Sequence, residues 1–160
     1  MFVLGIDPGL SRCGYGIIEI RKKHERAVAA GVIRTSPENQ LPKRLYELRN
    51  EIANLLREYN PDVIAIERVL FQRNTKTAIS VGQVIGIVMV EGVTAGCEII
   101  EYSPTEVKLA IAGHGAANKQ EIEQMVKTLL GIDTSLDPVD AADALALALC
   151  YSANRQVGVA

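Results

Sequence analysis

The sequence predicts an α/β fold, a five-stranded mixed sheet with helices on both faces. Strand-like segments occupy the first 35 residues, and helix-like and strand-like segments alternate after them. No internal repeat or linker interrupts the 160-residue chain. Nearly half of the residues are hydrophobic (48%), which is enough to bury a core. We therefore expect a single domain over residues 1–160.

Three apolar runs bounded by turn signals predict the first strands. They are FVLGID (2–7), CGYGIIEI (13–20) and AVAAGVIRT (27–35). The polar stretch RKKHER (21–26) predicts a hairpin-like connection, which places His24 in a turn. The three strands are expected to form an antiparallel meander.

The rest of the chain alternates between helical and strand patterns. Apolar residues recur at three- and four-residue steps from Leu41 to Asn60, as on an amphipathic helix. Two further strands are expected, each after a helix: DVIAIE (62–67) and EIIEY (98–102). The remaining helices are expected over residues 74–96, 104–113, 118–130 and 138–152.

Composition excludes several classes of protein. The three cysteines are odd in number and widely spaced, without a CxxC motif, so neither a disulfide framework nor a zinc site is expected. The N-terminal residues lack the pattern of a signal peptide. The most apolar internal stretch, VIGIVMV (84–90), is judged too short to span a bilayer. We expect a cytoplasmic protein that does not bind membranes.

Two acids each close a strongly apolar predicted strand. Asp7 follows VLGI and Glu67 follows VIAI. The carboxyl ends of central strands are where ligands bind in open α/β sheets. Either acid alone could simply begin a turn, but two in equivalent places favour a site.

Two more acids, Asp140 and Asp143, lie one turn apart on the last predicted helix. With Asp137 as N-cap and Pro138 as first helical residue, Asp140 falls at N3, where the helix dipole favours an acid. This does not explain Asp143, which lies on the same face of an otherwise apolar helix. Buried carboxylates need a cation, and no lysine or arginine lies between residues 128 and 154. A hard divalent metal fits, and such a cluster would offset the weak argument that the net charge of −2 makes against DNA binding.

The blocks LGIDPGLSRCGYGI, VIAIERVLF and DAADALALA closely resemble the RuvC family of Holliday junction resolvases, in order and spacing. The resemblance covers nearly the whole chain and implies a ribonuclease H-like fold. It also implies that four carboxylates hold two Mg²⁺ ions per active site, with Mn²⁺ able to substitute. Carried over residue by residue, these ligands and catalytic residues are Asp7, Glu67, Asp140 and Asp143.

A glycine-rich segment, GHGAANK (113–119), leads into a predicted helix that begins with Lys119. Backbone N–H groups, the helix dipole and a lysine together favour a phosphate site, although a flexible loop is the alternative. Lys108 precedes this segment. Both lysines match ones that the family uses near its active site, so Lys119 is expected to be catalytic and both to contact DNA. His114 is a weaker candidate for phosphate binding.

The segment RVLFQRNTK (68–76) is a second candidate DNA contact. It carries three basic residues, Arg68, Arg73 and Lys76. In relatives an aromatic residue stands three positions after the glutamate, where this chain has Leu70 with Phe71 beside it. We expect Phe71 to stack on unpaired bases; the alternative is that it packs into the core.

The apolar helix TAISVGQVIGIVMVEGV (77–93) carries Gly82 and Gly86 at a four-residue spacing. Glycine costs about 1 kcal/mol in a helix relative to alanine, so close packing is expected there. The helix could pack on its own sheet or on a second subunit. The resemblance implies a homodimer in which the two subunits pair partly through this helix. The two active sites of such a dimer suit a symmetric junction.

The sequence therefore predicts a homodimeric, Mg²⁺-dependent endonuclease that resolves four-way DNA junctions by paired nicks. The resemblance implies cooperation with the branch-migration proteins RuvA and RuvB. Two alternatives remain: an actin/hexokinase-like ATP-binding protein, in which an Asp-x-Gly turn also follows the first strand, and a non-catalytic junction-binding protein. The former needs a second phosphate loop, and Asp7-Pro8-Gly9 is the one Asp-x-Gly in the sequence.

Overall fold

The computed structural model describes residues 1–22, 24–69, 75–136, 138–156 and 158, with backbone alone for residues 75, 76 and 156. Its five strands form one mixed sheet in the order β3-β2-β1-β4-β5. The strands are β1 (Phe2–Asp7), β2 (Arg12–Arg21), β3 (His24–Arg34), β4 (Val63–Glu67) and β5 (Glu98–Tyr102). The helices are α1 (Leu41–Tyr59), α2 (Thr75–Thr94), α3 (Pro104–Ala112), α4 (Lys119–Leu130) and α5 (Val139–Gln156).

The sheet has an antiparallel half and a parallel half that share β1. On one side β1 pairs antiparallel with β2, with Asp7 opposite Gly14, and β2 pairs antiparallel with β3. On the other side β1 pairs parallel with β4, with Ile6 opposite Ile66, and β4 pairs parallel with β5. The predicted meander and the predicted mixed sheet are both confirmed. Because β1 and β4 are parallel neighbours, their carboxyl ends meet at one edge.

Helices cover both faces of the sheet, as predicted. On one face α5 crosses β1 and β2, and α3 and α4 pack against α5. On the other face α1 and α2 pack together over a second apolar core that includes Leu48, Ile52 and Val84. The alternating side chains of β1 supply both cores, Val3 to the first and Leu4 to the second.

Glycines in β1 and β2 let α5 lie directly on the sheet. A Cβ on Gly5 would stand 1.9 Å from the carbonyl oxygen of Ala144, and one on Gly14 would stand 2.3 Å from that of Asp140. A side chain at either position would push the helix away from the strands. These two close approaches bring the start of α5, with its acids, to the end of β1.

Two local expectations from sequence differ from the structure. His24 is the first residue of β3 and not part of a turn, since the antiparallel pairing continues to Arg21 opposite His24. The stretch 84–90, considered too short to span a bilayer, is part of an apolar segment of the predicted helix that is 18 residues long. Within the described chain, Thr77–Thr94 is long and apolar enough to cross a membrane by length and composition, with 18 residues, a mean hydropathy of 1.5 and 17% of them buried. A single such helix is weak evidence for a membrane span.

The two glycines of interest on α2 do not contact the sheet. Among the described residues, a Cβ on Gly82 or Gly86 would meet no atom within 4 Å, whereas one on Gly92 would stand 2.6 Å from both Ile64 and Ile99. The alternative that Gly82 and Gly86 pack on their own sheet is therefore wrong. The face of α2 that carries them is open.

Candidate metal centre and nucleic-acid interface

Three carboxylates meet where β1 ends and α5 begins. Asp7, Asp140 and Asp143 each place an oxygen so that all three lie within 4.8 Å of one another, and each residue is partly buried. Asp7 is the last residue of β1, and the two aspartates of α5 face it from the first turns of that helix. Oxygen atoms at this spacing could hold a hard divalent cation between them.

Glu67 stands beside this group on the neighbouring strand. It ends β4, one residue after the Ile6–Ile66 pair that places the two strand ends side by side. It lies outside the set of three that falls within 4.8 Å. It nevertheless lines the same cavity as Asp7 and Asp143. The four predicted carboxylates thus converge on one edge of the sheet. Oxygens of three of them lie within 4.8 Å of one another, and the fourth ends the neighbouring strand.

The crowding of acids changes their protonation. Burial, reinforced by the charges of Glu67, Asp143 and Asp140, raises the pKa of Asp7 to about 7. Burial and then the charge of Asp143 raise the pKa of Glu67, against the opposing effect of Lys119. A bound cation would offset the burial and the repulsion that raise these two pKa values, and so would favour the ionised carboxylates.

Two basic side chains already contact the helical aspartates. Lys119 Nζ lies 3.3 Å from Asp143 Oδ2, and the charge of that carboxylate raises the pKa of the lysine. An Nη atom of Arg12 lies 2.6 Å from Asp140 Oδ2. Sequence reasoning identified Lys119 but missed Arg12. The available signal was its position next to the Asp7 turn, but only the register of β2 against β1 brings it to Asp140.

The carboxylates open into a cavity of about 510 Å³. Besides Asp7, Glu67 and Asp143, its polar lining includes Lys108 from α3 and Lys119 from α4. Acidic groups that could bind metal and basic groups that could bind phosphate therefore share one opening. This is the arrangement that cleavage of a phosphodiester requires.

The glycine-rich segment does not present a free helix N-terminus. Asn118 caps α4, its side chain accepting from the N–H of Glu121, while the Glu121 carboxylate accepts from the N–H of Asn118. This capping box uses two of the donors that a phosphate would need and adds a negative charge. Lys119 lines the cavity together with the N-cap residue Asn118, and the Lys119 side chain contacts Asp143 there. His114 is exposed and lines a different cavity, with Gln120 and Met125.

The segment after Glu67 is described in part. Arg68 is exposed, its backbone N–H donates to the carbonyl of Tyr102 at 2.8 Å, and its Nη2 donates to the carbonyl of Glu101 at 3.4 Å. Leu70, Phe71 and Arg73 lie outside the described residues, as does the side chain of Lys76. Their predicted DNA contacts therefore stay predictions.

Comparison with known proteins identifies the family. Residues 3–151 match the family described as "Crossover junction endodeoxyribonuclease RuvC". The chain belongs to the RuvC family. A curated relative from Natranaerobius thermophilus is 41% identical over 152 residues, covering 95% of this chain and 94% of the relative. Another, from Desulfitobacterium hafniense, is 44% identical over 152 residues, covering 95% and 92%.

Solved structures agree with this assignment. The RuvC structure of Thermus thermophilus has a TM-score of 0.92 at 34% identity and covers 99% of this chain and 98% of its own. The structure of the same protein in complex with a Holliday junction substrate has a TM-score of 0.94. The predicted ribonuclease H-like fold is thus confirmed. The predicted function is confirmed as well: the chain is a nuclease that resolves Holliday junctions. The ATP-binding alternative is not favoured.

Proposed function

We propose that this chain cuts four-way junctions with two Mg²⁺ ions held by Asp7, Glu67, Asp140 and Asp143. The observation that carries the proposal is the convergence of four carboxylates from three separate elements on one partly buried edge. Divalent-metal use fits the family and this acidic group. The choice of Mg²⁺, with Mn²⁺ as a substitute, is the further step proposed here.

The donor set fits a hard cation. All four side chains offer carboxylate oxygens as ligands. His114 lines another cavity. Asp7 illustrates the need for a cation, because its raised pKa reflects burial and repulsion that a bound metal would relieve. A soft-ligand metal such as a structural zinc would instead call for cysteine or histidine.

The chemistry divides between the metal site and the lysines. Asp7, Glu67, Asp140 and Asp143 would hold the divalent ions, whose chemistry would be to make a water nucleophilic and to neutralise the charge on the leaving oxygen of an in-line displacement. Lys119, next to Asp143 and facing the cavity, would hold the scissile phosphate and offset the charge that develops on it. Lys108, on the adjacent wall, would bind a phosphate oxygen and so orient the backbone.

A cleavage assay tests this proposal. Labelled four-way junction and matched linear duplex are incubated with the protein in EDTA, Mg²⁺, Mn²⁺ or Zn²⁺. We expect cleavage of the junction in Mg²⁺ and Mn²⁺ and intact DNA in EDTA. Equal cleavage in EDTA would contradict the metal mechanism, and binding without cleavage under all conditions would favour the non-catalytic alternative.

We further propose that the chain forms a homodimer through α2. Ile79, Gly82, Gly86, Val90 and Val93 follow one another at three- and four-residue steps and so share one face of the helix. The three aliphatic side chains are 62%, 64% and 68% exposed, and the glycines are open. A second α2 packed against this face would bury the stripe, and a two-fold pair of sites would match a junction cut symmetrically on two strands.

Three further expectations complete the proposal. The two cores share one sheet, which supports a single nuclease domain over residues 1–160. Cooperation with RuvA and RuvB is expected from the family and can be tested by adding both proteins to the junction assay. A cytoplasmic location is supported by three buried free cysteines, Cys13, Cys97 and Cys150.

A further inference from the structure

Arg12 lies at the boundary between the carboxylate group and a basic surface. Its Nε and one Nη both contact Oδ2 of Asp140, at 2.7 and 2.6 Å. Within the described residues, the other oxygen of Asp140 accepts no hydrogen bond. The Arg12 side chain is 47% exposed, so much of it faces solvent although it is paired.

A second arginine stands directly opposite Arg12 in the sheet. Arg12 at the start of β2 pairs in register with Arg34 at the end of β3, so both project from the same face. Like charges directly opposite each other in an antiparallel pair destabilise it. Arg34 is exposed and, in the part of the chain that the structure describes, forms no ion pair. The pair therefore offers a place for an anion.

The turn that carries Arg12 is braced. Arg44 at the start of α1 donates from Nη2 to Ser11 Oγ at 2.6 Å and from Nε to Thr35 Oγ1 at 2.9 Å. The Thr35 hydroxyl in turn donates to the carbonyl of Leu10 at 2.5 Å. These bonds tie the β1–β2 turn to the end of β3. Arg12 and Arg34 thus keep a defined position relative to the carboxylates.

The arginines and the lysines flank the carboxylates on opposite sides. Lys108 and Lys119 line the cavity together with Glu67 of β4, whereas Arg12 and Arg34 lie on β2 and β3, across β1 from β4. Neighbouring strands are about 4.8 Å apart, which puts the arginine-bearing strands about 5 and 10 Å from β1. A DNA strand whose scissile phosphate rests on the carboxylates must continue past one of these flanks.

We infer that Arg12 is a phosphate contact controlled by the metal. While the site is metal-free, Asp140 holds its guanidinium. A divalent ion bound by Asp140 places like charge beside the guanidinium, which releases it to join Arg34 on a backbone phosphate next to the one that is cut. Arg34, free of Asp140, contacts phosphate with or without metal. This inference rests on the proposed function, because it takes Asp140 as a metal ligand.

The test measures junction affinity against salt concentration, in EDTA and in Ca²⁺, an ion that takes the same oxygen ligands. A denaturing gel verifies that the DNA stays intact. Each phosphate contact adds about 0.9 to the slope of log affinity against log salt, or about eightfold in affinity at 0.1 M salt. Arg12→Gln should bind the junction about eightfold more weakly than the wild type in Ca²⁺ at 0.1 M salt. In EDTA its affinity should differ from that of the wild type by less than about twofold. Arg34→Gln should bind about eightfold more weakly under both conditions.

Arg57→Gln is the matched control, because Arg57 lies on the last turn of α1, at the opposite end of that helix from Arg44. It should change neither slope. A melting curve gives an independent readout: Arg12→Gln should lower the melting temperature in EDTA, where the ion pair with Asp140 is lost, and not in Ca²⁺. Equal losses by Arg12→Gln in EDTA and Ca²⁺, or no loss in either, overturn the inference. Failure of the wild-type chain to cut junctions in Mg²⁺ would instead overturn the proposed function.

Discussion

Asp7 has a pKa that is set by its surroundings at the carboxylate site. It ends an apolar strand, and its pKa of about 7 arises first from burial and then from the other carboxylates. Between about pH 4 and pH 7 the folded chain therefore binds a proton at Asp7 that the unfolded chain has released. In the metal-free protein, the contribution of Asp7 to stability is therefore greatest at the acidic end of this range and is lost as the pH rises through 7.

This gives the first prediction. In EDTA, the contribution of Asp7 to the free energy of unfolding should fall as the pH is raised from about 4 to about 7 and level off above it. Asp7→Asn should remove that contribution. The measurement is urea unfolding of both proteins across this range, and the difference between the two curves is the quantity to compare. A difference that does not vary with pH would mean that Asp7 titrates normally.

Asp143→Asn separates a metal ligand from a structural aspartate. Asp143 raises the pKa of both Asp7 and Glu67, so its removal should relieve repulsion, while the exposed pair with Lys119 contributes little. We expect an unchanged or higher melting temperature in EDTA and unchanged or tighter metal-free junction binding. Single-turnover cleavage in Mg²⁺ should be at least about 100-fold slower. A destabilised variant with near-normal turnover per folded molecule would contradict this role.

Lys119→Ala should slow cleavage more than it weakens binding. The lysine faces the carboxylates, where charge develops on the scissile phosphate, whereas affinity is spread over many phosphate contacts. We expect a loss of about 100-fold in rate at saturating enzyme and less than about tenfold in affinity. Lys127→Ala, in the last turn of the same helix, is the control and should behave as wild type. A collapse of affinity with an unchanged rate would make Lys119 a binding residue alone.

At the scale of elements, the site depends on how closely α5 approaches β1 and β2. A Cβ at Gly14 would overlap the backbone carbonyl of Asp140, which a flexible side-chain movement cannot relieve. Gly14→Ala should therefore lower stability by about 1–3 kcal/mol and weaken metal binding, since the first turn of α5 must shift. Gly115→Ala, whose Cβ would meet Thr105 at an ordinary 3.5 Å, is the control for stability. Urea unfolding and metal titration provide the two measurements.

The elements themselves were largely predictable because their signals are local. Strand-terminal acids and the i, i+3 pair Asp140 and Asp143 stand out within a few residues of sequence. The pairing of Arg12 with Asp140 was not predictable, because it depends on the register of β2 against β1 and on the contact of α5 with Gly14. The capping box on α4 was not predicted although Asn118 and Glu121 have the right spacing, because the glycines before it also suit a phosphate-binding loop at a free helix N-terminus.

At the scale of the whole molecule, the proposed dimer depends on the face of α2 that carries Gly82 and Gly86. Gly86→Leu should weaken the dimer by at least about tenfold in dissociation constant, because a branched side chain would hold the two helices apart. The fold should survive, since a Cβ there would meet no atom within 4 Å in the described part of the subunit. Sedimentation of both proteins over a concentration series is the measurement. A folded variant that remains fully dimeric would place the interface elsewhere.

The four carboxylates are far apart in the sequence, so they leave the ribosome at different times. Asp7 leaves the ribosome early, but α5, which carries Asp140 and Asp143, follows more than 130 residues later. Until α5 lies on the glycines of β1 and β2, Asp7 and Glu67 lack the two aspartates that are proposed to complete their metal site. If these four residues form the metal site, a polypeptide that ends before α5 lacks Asp140 and Asp143 and should have no cleavage activity.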